Sequence, residues 1–267
     1  MTDSVFKVLS GLPIDQLAER FRNAQPYPHL VLDDFLPEAE ALALEQDCRQ
    51  ASTPLDSSND FTQKTKTTLN DWRLMPERLQ SACGFFNSGA FVDVLEAMTG
   101  LSGLIADPHL DGGGVHRTLR GGFLKLHTDF NWNPRLRLHR RLNALYFLNS
   151  GYQEDWGGEL FLADQPGRQQ LDAMSAVAPR FNRLVLFNSN DTTFHGHPRP
   201  HTFPEGYPRT SLAFYYYTAT ERPWRERRRL RASTTRYVPA LQELIDTSPA
   251  TLRGRLGYWI RRWTPFA

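Results

Sequence analysis

The apolar and polar positions of this chain predict helices in its N-terminal part. Apolar residues recur at helical spacing in four segments, and Gly100 follows the last of them as a stop signal. A short apolar run before an acidic turn predicts a strand over 29–32, and the Ser-, Thr-, Asn- and Asp-rich stretch 52–70 predicts a long loop. The predicted helices are 14–21, 38–51, 72–86 and 91–99.

From residue 104 the pattern changes to short β-type runs separated by glycines and polar turns. The predicted strands are 104–110, 115–119, 123–127, 141–149, 159–163, 173–178, 184–188 and 210–218. Many short strands in series indicate a sandwich or barrel, against which the preceding helices pack on one sheet face. We therefore predict an α+β fold with a double-stranded β-helix (jelly-roll) core.

Three regions follow from this organisation. Residues 1–100 would support the core, 101–220 would form it, and 221–267 would be a basic extension with helices at 238–246 and 252–263. The net charge is +2, but residues 221–267 hold 11 Arg against 4 acidic residues, a surplus of +7 that leaves −5 for residues 1–220. A basic tail can bind nucleic acid or an anionic membrane surface, but a solvated surface is the commoner reason for one.

The composition is ordinary for a soluble globular protein, with 40% hydrophobic and 22% charged residues among 267. Two cysteines without a C-x-x-C motif exclude a zinc ribbon or a redox dithiol, and low cysteine usage fits a reducing compartment. The sequence shows neither a signal peptide nor a long apolar span, so we expect a cytoplasmic protein.

The first candidate for chemistry is the pair His127 and Asp129. Residues i and i+2 of a strand point to the same face, so this pair can present an imidazole and a carboxylate to one point. Two histidines and one carboxylate form the facial triad of non-haem Fe(II) enzymes. An H-x-D pair alone is a weak signal, because surface polar pairs are common.

A third ligand must come from another strand, and His195 is the candidate. It follows the apolar run 184–188 after a short loop, and Gly196 would let the backbone approach closely. His197 and His201 lie near prolines and are interpreted as loop or rim residues. The remaining candidates are interpreted as ordinary hydrogen-bonding residues: His109, His116 and His139.

Arg209 opens the last predicted strand, 14 residues beyond His195. Its planar guanidinium can pair with a carboxylate through two parallel hydrogen bonds, which suits the free end of a metal-chelating dicarboxylate. Ser211 lies on the same face of the strand by the period-two rule.

These motifs, in this order, resemble the Fe(II)/2-oxoglutarate-dependent dioxygenases, in the branch of prolyl 4-hydroxylase-like catalytic domains. The resemblance covers roughly residues 100–220 and is specific for the superfamily, but not for a substrate. The family often has Lys at the position of Arg209, and other members of the superfamily share the Arg. The matching strings are His127-Thr-Asp, Arg141-Leu-Asn-Ala-Leu-Tyr-Phe-Leu-Asn149, Gly157-Gly-Glu-Leu160, Phe194-His-Gly-His197 and Arg209-Thr-Ser-Leu-Ala-Phe-Tyr-Tyr-Tyr217.

The resemblance implies that His127, Asp129 and His195 bind Fe(2+). It also implies that Arg209 holds the distal carboxylate of 2-oxoglutarate, with Ser211 and Tyr146 or Asn143 nearby. O2 would be the second co-substrate, and L-ascorbate a further ligand.

The reaction would then be the hydroxylation of a C–H bond, with a prolyl or peptidyl residue favoured over a small natural product or sugar. Other classes stay open: a non-catalytic jelly-roll sensor, a zinc hydrolase, and a nucleic-acid reader that demethylates a base. Segments 52–70 and 130–133 are the expected rim of the substrate pocket. Trp132 and Trp156 could line the wall of this pocket, but a place in the core is the commoner role for such aromatic residues.

Overall fold

The computed structural model describes residues 3–51, 62–164, 171, 174–220 and 232–238. The helices in this part of the chain are α1 (Asp3–Ser10), α2 (Ile14–Asn23), α3 (Glu38–Gln50), α4 (Glu77–Phe86) and α5 (Gly89–Thr99). The strands are β1 (His29–Leu32), β2 (Gln63–Leu69), β3 (Ile105–Ala106), β4 (Gly114–Thr128), β5 (Trp132–Asn133), β6 (Leu138–Phe147), β7 (Leu160–Ala163), β8 (Ser175–Val177), β9 (Arg183–Asn188), β10 (Phe194–His197), β11 (Arg209–Thr218) and β12 (Arg236–Tyr237).

Local sequence accounts for the helix boundaries. Prolines precede α2, α3 and α4, where their fixed φ and missing N–H are tolerated. Ser88 accepts a hydrogen bond from the Phe91 N–H at the start of α5, and Gly100 ends that helix with a φ of 70°. The predicted helices are confirmed within a few residues, except that 72–86 begins only at Glu77, after Pro76 and a 3-10 turn over Trp72–Leu74.

Three predictions about strands were wrong. Of the predicted strand 104–110, only Ile105–Ala106 forms a strand, β3. The predicted loop 52–70 contains a strand, β2, that pairs antiparallel along β4, so its polar composition reflects a sheet edge and not a turn. The strands predicted on either side of Gly121-Gly122 form the single strand β4. Gly121 has a φ of 75°, so the glycine pair distorts the strand without ending it.

The strands form one curled antiparallel sheet in the order β1-β9-β6-β11-β4-β10-β7-β8. The first half of β4 pairs with β11 and its second half with β10, so β4 carries the chain from one layer to the other. Phe147 and Val185 share a cluster with Leu160 and Leu162, although β6 and β9 are several strands away from β7. The sheet therefore closes on itself around an interior, as in a jelly roll.

The larger core lies between the outer face of this sheet and the helices. Leu142, Ala144 and Tyr146 of β6 point to that face, where they pack with Phe86 of α4 and Phe91 of α5. The predicted α+β jelly-roll fold with helices on one sheet face is confirmed. No helix of the described residues is both long enough and apolar enough to span a membrane. The predicted helices at 238–246 and 252–263 lie outside the described residues.

Candidate metal centre

Two neighbouring strands bring His127, Asp129 and His195 together. His127 lies near the end of β4, Asp129 follows that strand directly, and His195 of β10 is the register partner of His127. One side-chain ligand atom from each residue lies within 4.8 Å of the others, and all three side chains are buried. The Nε2 atoms of His127 and His195 lie 3.8 Å and 3.4 Å from the Asp129 carboxylate oxygens.

Each imidazole is oriented by a contact between its Nδ1 atom and a backbone carbonyl. His127 Nδ1 lies 2.8 Å from the Lys125 carbonyl, which can only accept, so Nδ1 carries the proton and Nε2 keeps its lone pair. His195 Nδ1 likewise faces a backbone carbonyl, that of Thr193, at 3.4 Å. Burial lowers the pKa of His127 to about 3, and burial also lowers the pKa of His195. Both rings are therefore neutral near pH 7, as metal ligands must be.

Buried side chains that donate hydrogen bonds to Asp129 keep its carboxylate ionised. Its Oδ2 accepts hydrogen bonds from Asn143 Nδ2 at 2.7 Å and from Arg140 at 2.9 Å. Burial opposes ionisation of this carboxyl, but the charge of Arg140 and the hydrogen bond from Asn143 favour it, and the pKa of Asp129 is held below its ordinary value. Arg140 is itself fixed, because its Nε donates to Asn143 Oδ1 at 2.9 Å and its guanidinium stacks 3.4 Å from the Tyr215 ring centre.

The donor set fits ferrous iron. Two neutral imidazole nitrogens and one carboxylate oxygen lie within 4.8 Å of one another, and these are the ligand types of the facial triad. A cavity of about 240 Å³ opens beside these atoms. Its apolar wall includes Leu145, Leu160 and Phe187, which limit the access of water.

Arg209 lies in the same cavity and is 6% exposed. Its Nε donates to the Gly158 carbonyl at 2.6 Å, and its guanidinium lies 5.0 Å from the Phe147 ring centre. Burial lowers the pKa of Arg209 to about 10, so it stays charged at neutral pH. No carboxylate of the described residues forms an ion pair with it, so a buried positive charge faces the cavity without a protein counter-ion.

Gly158 is required for this placement of Arg209. Its φ is 80°, and a Cβ there would lie 3.1 Å from Arg209 Cδ. Gly158 therefore shapes the arginine site.

The other residues predicted to lie near the co-substrate are found on two opposite faces of the sheet. Ser211 and Asn143 line the cavity, although Asn143 is engaged with Asp129. Tyr146 is not at the site: it lies in the core against the helices, and its hydroxyl donates to Asn182 at 2.6 Å. Asn143 and Tyr146 are three residues apart in β6, so the alternation of a strand places them on opposite faces.

Several cavity residues were missed from the sequence. His197 lies in β10 and lines the cavity, so it is not a loop or rim residue. His116 also lines the cavity and hydrogen-bonds to the Gly112 carbonyl as predicted, whereas His109 is exposed. His197 could have been found by the period-two rule, because it is two residues beyond His195. Lys66 lies in the segment predicted as a loop. Arg140 gave no local signal, since its partner Asp129 is 11 residues away in the sequence. Phe130 is the member of the predicted rim 130–133 that lines the cavity.

Comparisons with known proteins bear on this site. Residues 113–217 match the sequence model of a family described as the 2OG-Fe(II) oxygenase superfamily. This match contains His127, Asp129, His195 and Arg209. A comparison with curated protein sequences finds no match.

Three examples represent the solved structures that share the fold. A prolyl hydroxylase from Trichoplax adhaerens, in complex with a hypoxia inducible factor oxygen degradation domain peptide fragment, has a TM-score of 0.54 at 16% identity over 81% of this chain and 93% of its own. HygX from Streptomyces hygroscopicus, with nickel and 2-oxoglutarate bound, has a TM-score of 0.50 at 17% identity over 79% and 91%.

The third is SnoN, a non-heme alpha ketoglutarate dependent epimerase from nogalamycin biosynthesis, with a TM-score of 0.52 at 16% identity over 89% of this chain and 90% of its own. At these identities the likeness establishes the fold and not the substrate. Residues 113–217 of this chain therefore match the sequence model of the 2OG-Fe(II) oxygenase superfamily, within a fold that these solved structures share.

Proposed function

We propose that this chain is a 2-oxoglutarate-dependent hydroxylase whose iron is held by His127, Asp129 and His195. The observation that carries the proposal is the meeting of these three donors within 4.8 Å in the same cavity as a buried arginine that forms no ion pair with a carboxylate of the described residues. When bound, ferrous iron and 2-oxoglutarate would supply the oxidising chemistry, in which O2 is consumed, succinate and CO2 are released, and a substrate C–H bond is hydroxylated.

The protein side chains orient and insulate this chemistry. Arg140 and Asn143 hold Asp129 ionised, and the Lys125 carbonyl fixes the tautomer of His127, so the ligands are arranged before the metal arrives. The apolar wall at Phe187 excludes water from the reacting centre.

Arg209 would bind the distal carboxylate of 2-oxoglutarate. Its Nε is engaged with Gly158, which leaves the terminal nitrogens for the co-substrate, and Ser211 lies on the same strand face. L-Ascorbate, as a reductant that keeps the iron ferrous, belongs to the same proposal.

For the prime substrate we favour a prolyl or peptidyl residue. The family resemblance supports this choice, and the Trichoplax structure contains a peptide fragment. A small natural-product or sugar intermediate is the second candidate, for which SnoN, from a biosynthetic pathway, is the precedent. A non-catalytic sensor would bind 2-oxoglutarate without consuming it, and a zinc hydrolase would not need it.

Succinate formation from 2-oxoglutarate with Fe(II) tests the function. We expect slow turnover in the wild type, none in Asp129→Ala or His195→Ala, and wild-type turnover in the control His109→Ala, which alters an exposed histidine. Full activity in either ligand variant would reject the metal assignment.

Arg209→Ala tests the co-substrate site. It should raise the KM for 2-oxoglutarate by about 10- to 100-fold, from the roughly 1.5–3 kcal/mol of a hydrogen bond to a charged group. An unchanged KM would reject the role of Arg209.

A further inference from the structure

The cavity beside the metal centre holds a further cation, Lys66 of β2. Its side chain lines the cavity together with Arg209, and no carboxylate of the described residues forms an ion pair with it. We propose that Lys66 binds an anionic group, a carboxylate or a phosphate, of the prime substrate. This inference rests on the proposed function and gives its substrate a chemical class.

A distorted backbone aims Lys66 into the cavity. The register between β2 and β4 shifts between Lys64 and Lys66, and the intervening Thr65 has a φ of 56°, which is unfavourable for a β-branched residue. Thr65 Oγ1 donates to the Leu119 carbonyl at 3.1 Å, and a Cβ on Gly122 would lie 2.3 Å from Thr65 Oγ1. Such strain persists only where the surroundings enforce it, and bulges of this kind redirect side chains beside functional sites.

Lys66 and Arg209 lie on either side of one residue of β4. Thr118 is the register partner of Lys66 in β2 and of Arg209 in β11, so the three residues form a row across the sheet. Neighbouring strands are about 4.8 Å apart, which separates the two backbone positions by roughly 10 Å. Arg209 is tied to Gly158, whereas Lys66 enters from the opposite side of β4. The two cations can therefore hold two different anions.

Lys66 belongs to the part of the cavity wall that lies outside the family match. Residues 113–217 supply the metal ligands and Arg209. The lining residues outside that range are Gln63, Lys66, Gly112, Thr235 and Tyr237. Lys66 is the charged member of this set, which makes it the residue best placed to select a substrate by charge.

The charge of the loaded cavity favours an anion. Asp129 is the one carboxylate among the described lining residues. Ferrous iron, Arg140, Arg209 and Lys66 would bring five positive charges, and Asp129 with 2-oxoglutarate would bring three negative charges. The two remaining positive charges sit in a partly enclosed cavity, where electrostatic interactions are stronger than in water, so a neutral substrate would leave the cavity with a net positive charge.

Matched probes test this inference on the manganese-loaded full chain with saturating 2-oxoglutarate. The pairs are benzoate against benzamide and phenyl phosphate against phenol, with Mn(II) broadening of the ring-proton resonances as the sign of binding near the metal. We expect at least one anion to bind about tenfold more tightly than its neutral partner, and the better pair identifies carboxylate or phosphate. Lys66→Met should abolish the preference and Lys66→Arg should keep it. The control Lys64→Met, on an exposed residue of the same strand, should match the wild type.

Two outcomes would overturn the inference. One is an anion preference that survives in Lys66→Met. The other is a tenfold loss of 2-oxoglutarate affinity in Lys66→Met with the probes unaffected, which would make Lys66 a co-substrate anchor. If the wild type failed to bind Mn(II), the proposed function would fall. Calorimetric titration of the same probes into the metal-free protein would still decide the role of Lys66.

Discussion

Arg140→Met removes the buried cation that supports the Asp129 carboxylate. Arg140 is 2% exposed and Asp129 is 8% exposed, so neither charge is compensated by bulk water. The substitution removes the 2.9 Å ion pair to Asp129, the hydrogen bond to Asn143 and the stacking on Tyr215. Breaking a buried pair from one side typically costs about 3–5 kcal/mol, because the remaining charge stays buried without a partner.

The matched control is Arg180→Met, which breaks an even shorter ion pair on the surface. Arg180 and Glu154 lie 2.6 Å apart, but their side chains are 52% and 77% exposed. Exposed pairs contribute about 0–1 kcal/mol, so this variant should unfold close to the wild type. At roughly 2–4 °C per kcal/mol for a chain of this size, Arg140→Met should lower the Tm by about 6–20 °C.

The assay is unfolding of the metal-free protein in EDTA, by heat for the Tm and by urea for the free energy of unfolding. Both measurements are repeated with saturating Mn(II). In Arg140→Met the metal replaces the missing positive charge beside Asp129, so Mn(II) should stabilise this variant more than it stabilises the wild type. Adding Asp129→Asn to Arg140→Met should recover part of the lost stability, because no charge is then left unpaired. Equal losses in Arg140→Met and Arg180→Met would refute the reasoning.

Two further predictions concern the backbone beside His195 and the protonation of Lys66. Gly196→Ala should weaken Mn(II) binding at least tenfold by calorimetry, because the new Cβ would lie 2.7 Å from the carbonyl oxygens of Leu124 and Lys125 and push β10 away from β4. An unchanged affinity would show that β10 can shift without moving His195. Burial lowers the pKa of Lys66 to about 8, so the lysine is charged below that pH and loses its charge above it. The charged and titratable groups that face it are His116, His127, Asp129, Arg140, His195, His197 and Arg209. Benzoate affinity should therefore fall about tenfold between pH 7 and pH 9 in the wild type but stay level in Lys66→Arg, and a fall of equal size in both would contradict the assignment.

Much of the candidate site follows from local rules of the sequence. His127 and Asp129 share a face because strand side chains alternate with period two, and the same rule places Ser211 beside Arg209. The rule also argues against Tyr146, since it is an odd number of residues from Asn143, and the structure places it in the core on the opposite face. The helices and most strands were likewise predictable, because their apolar periodicity and their Pro and Gly boundaries are local.

Long-range pairing decided the rest. Only the register of β10 against β4 brings His195 to His127, and only the curl of the sheet encloses a cavity between them and Arg209. Lys66 lies in a polar stretch that has no β-pattern of its own, and it becomes part of a strand because β4 offers an unpaired edge. The sequence by itself determined which side chains can do chemistry and on which face of each strand they lie. The tertiary structure determined which of them meet, because contacts between distant strands depend on sheet order and register, and no local pattern encodes either one.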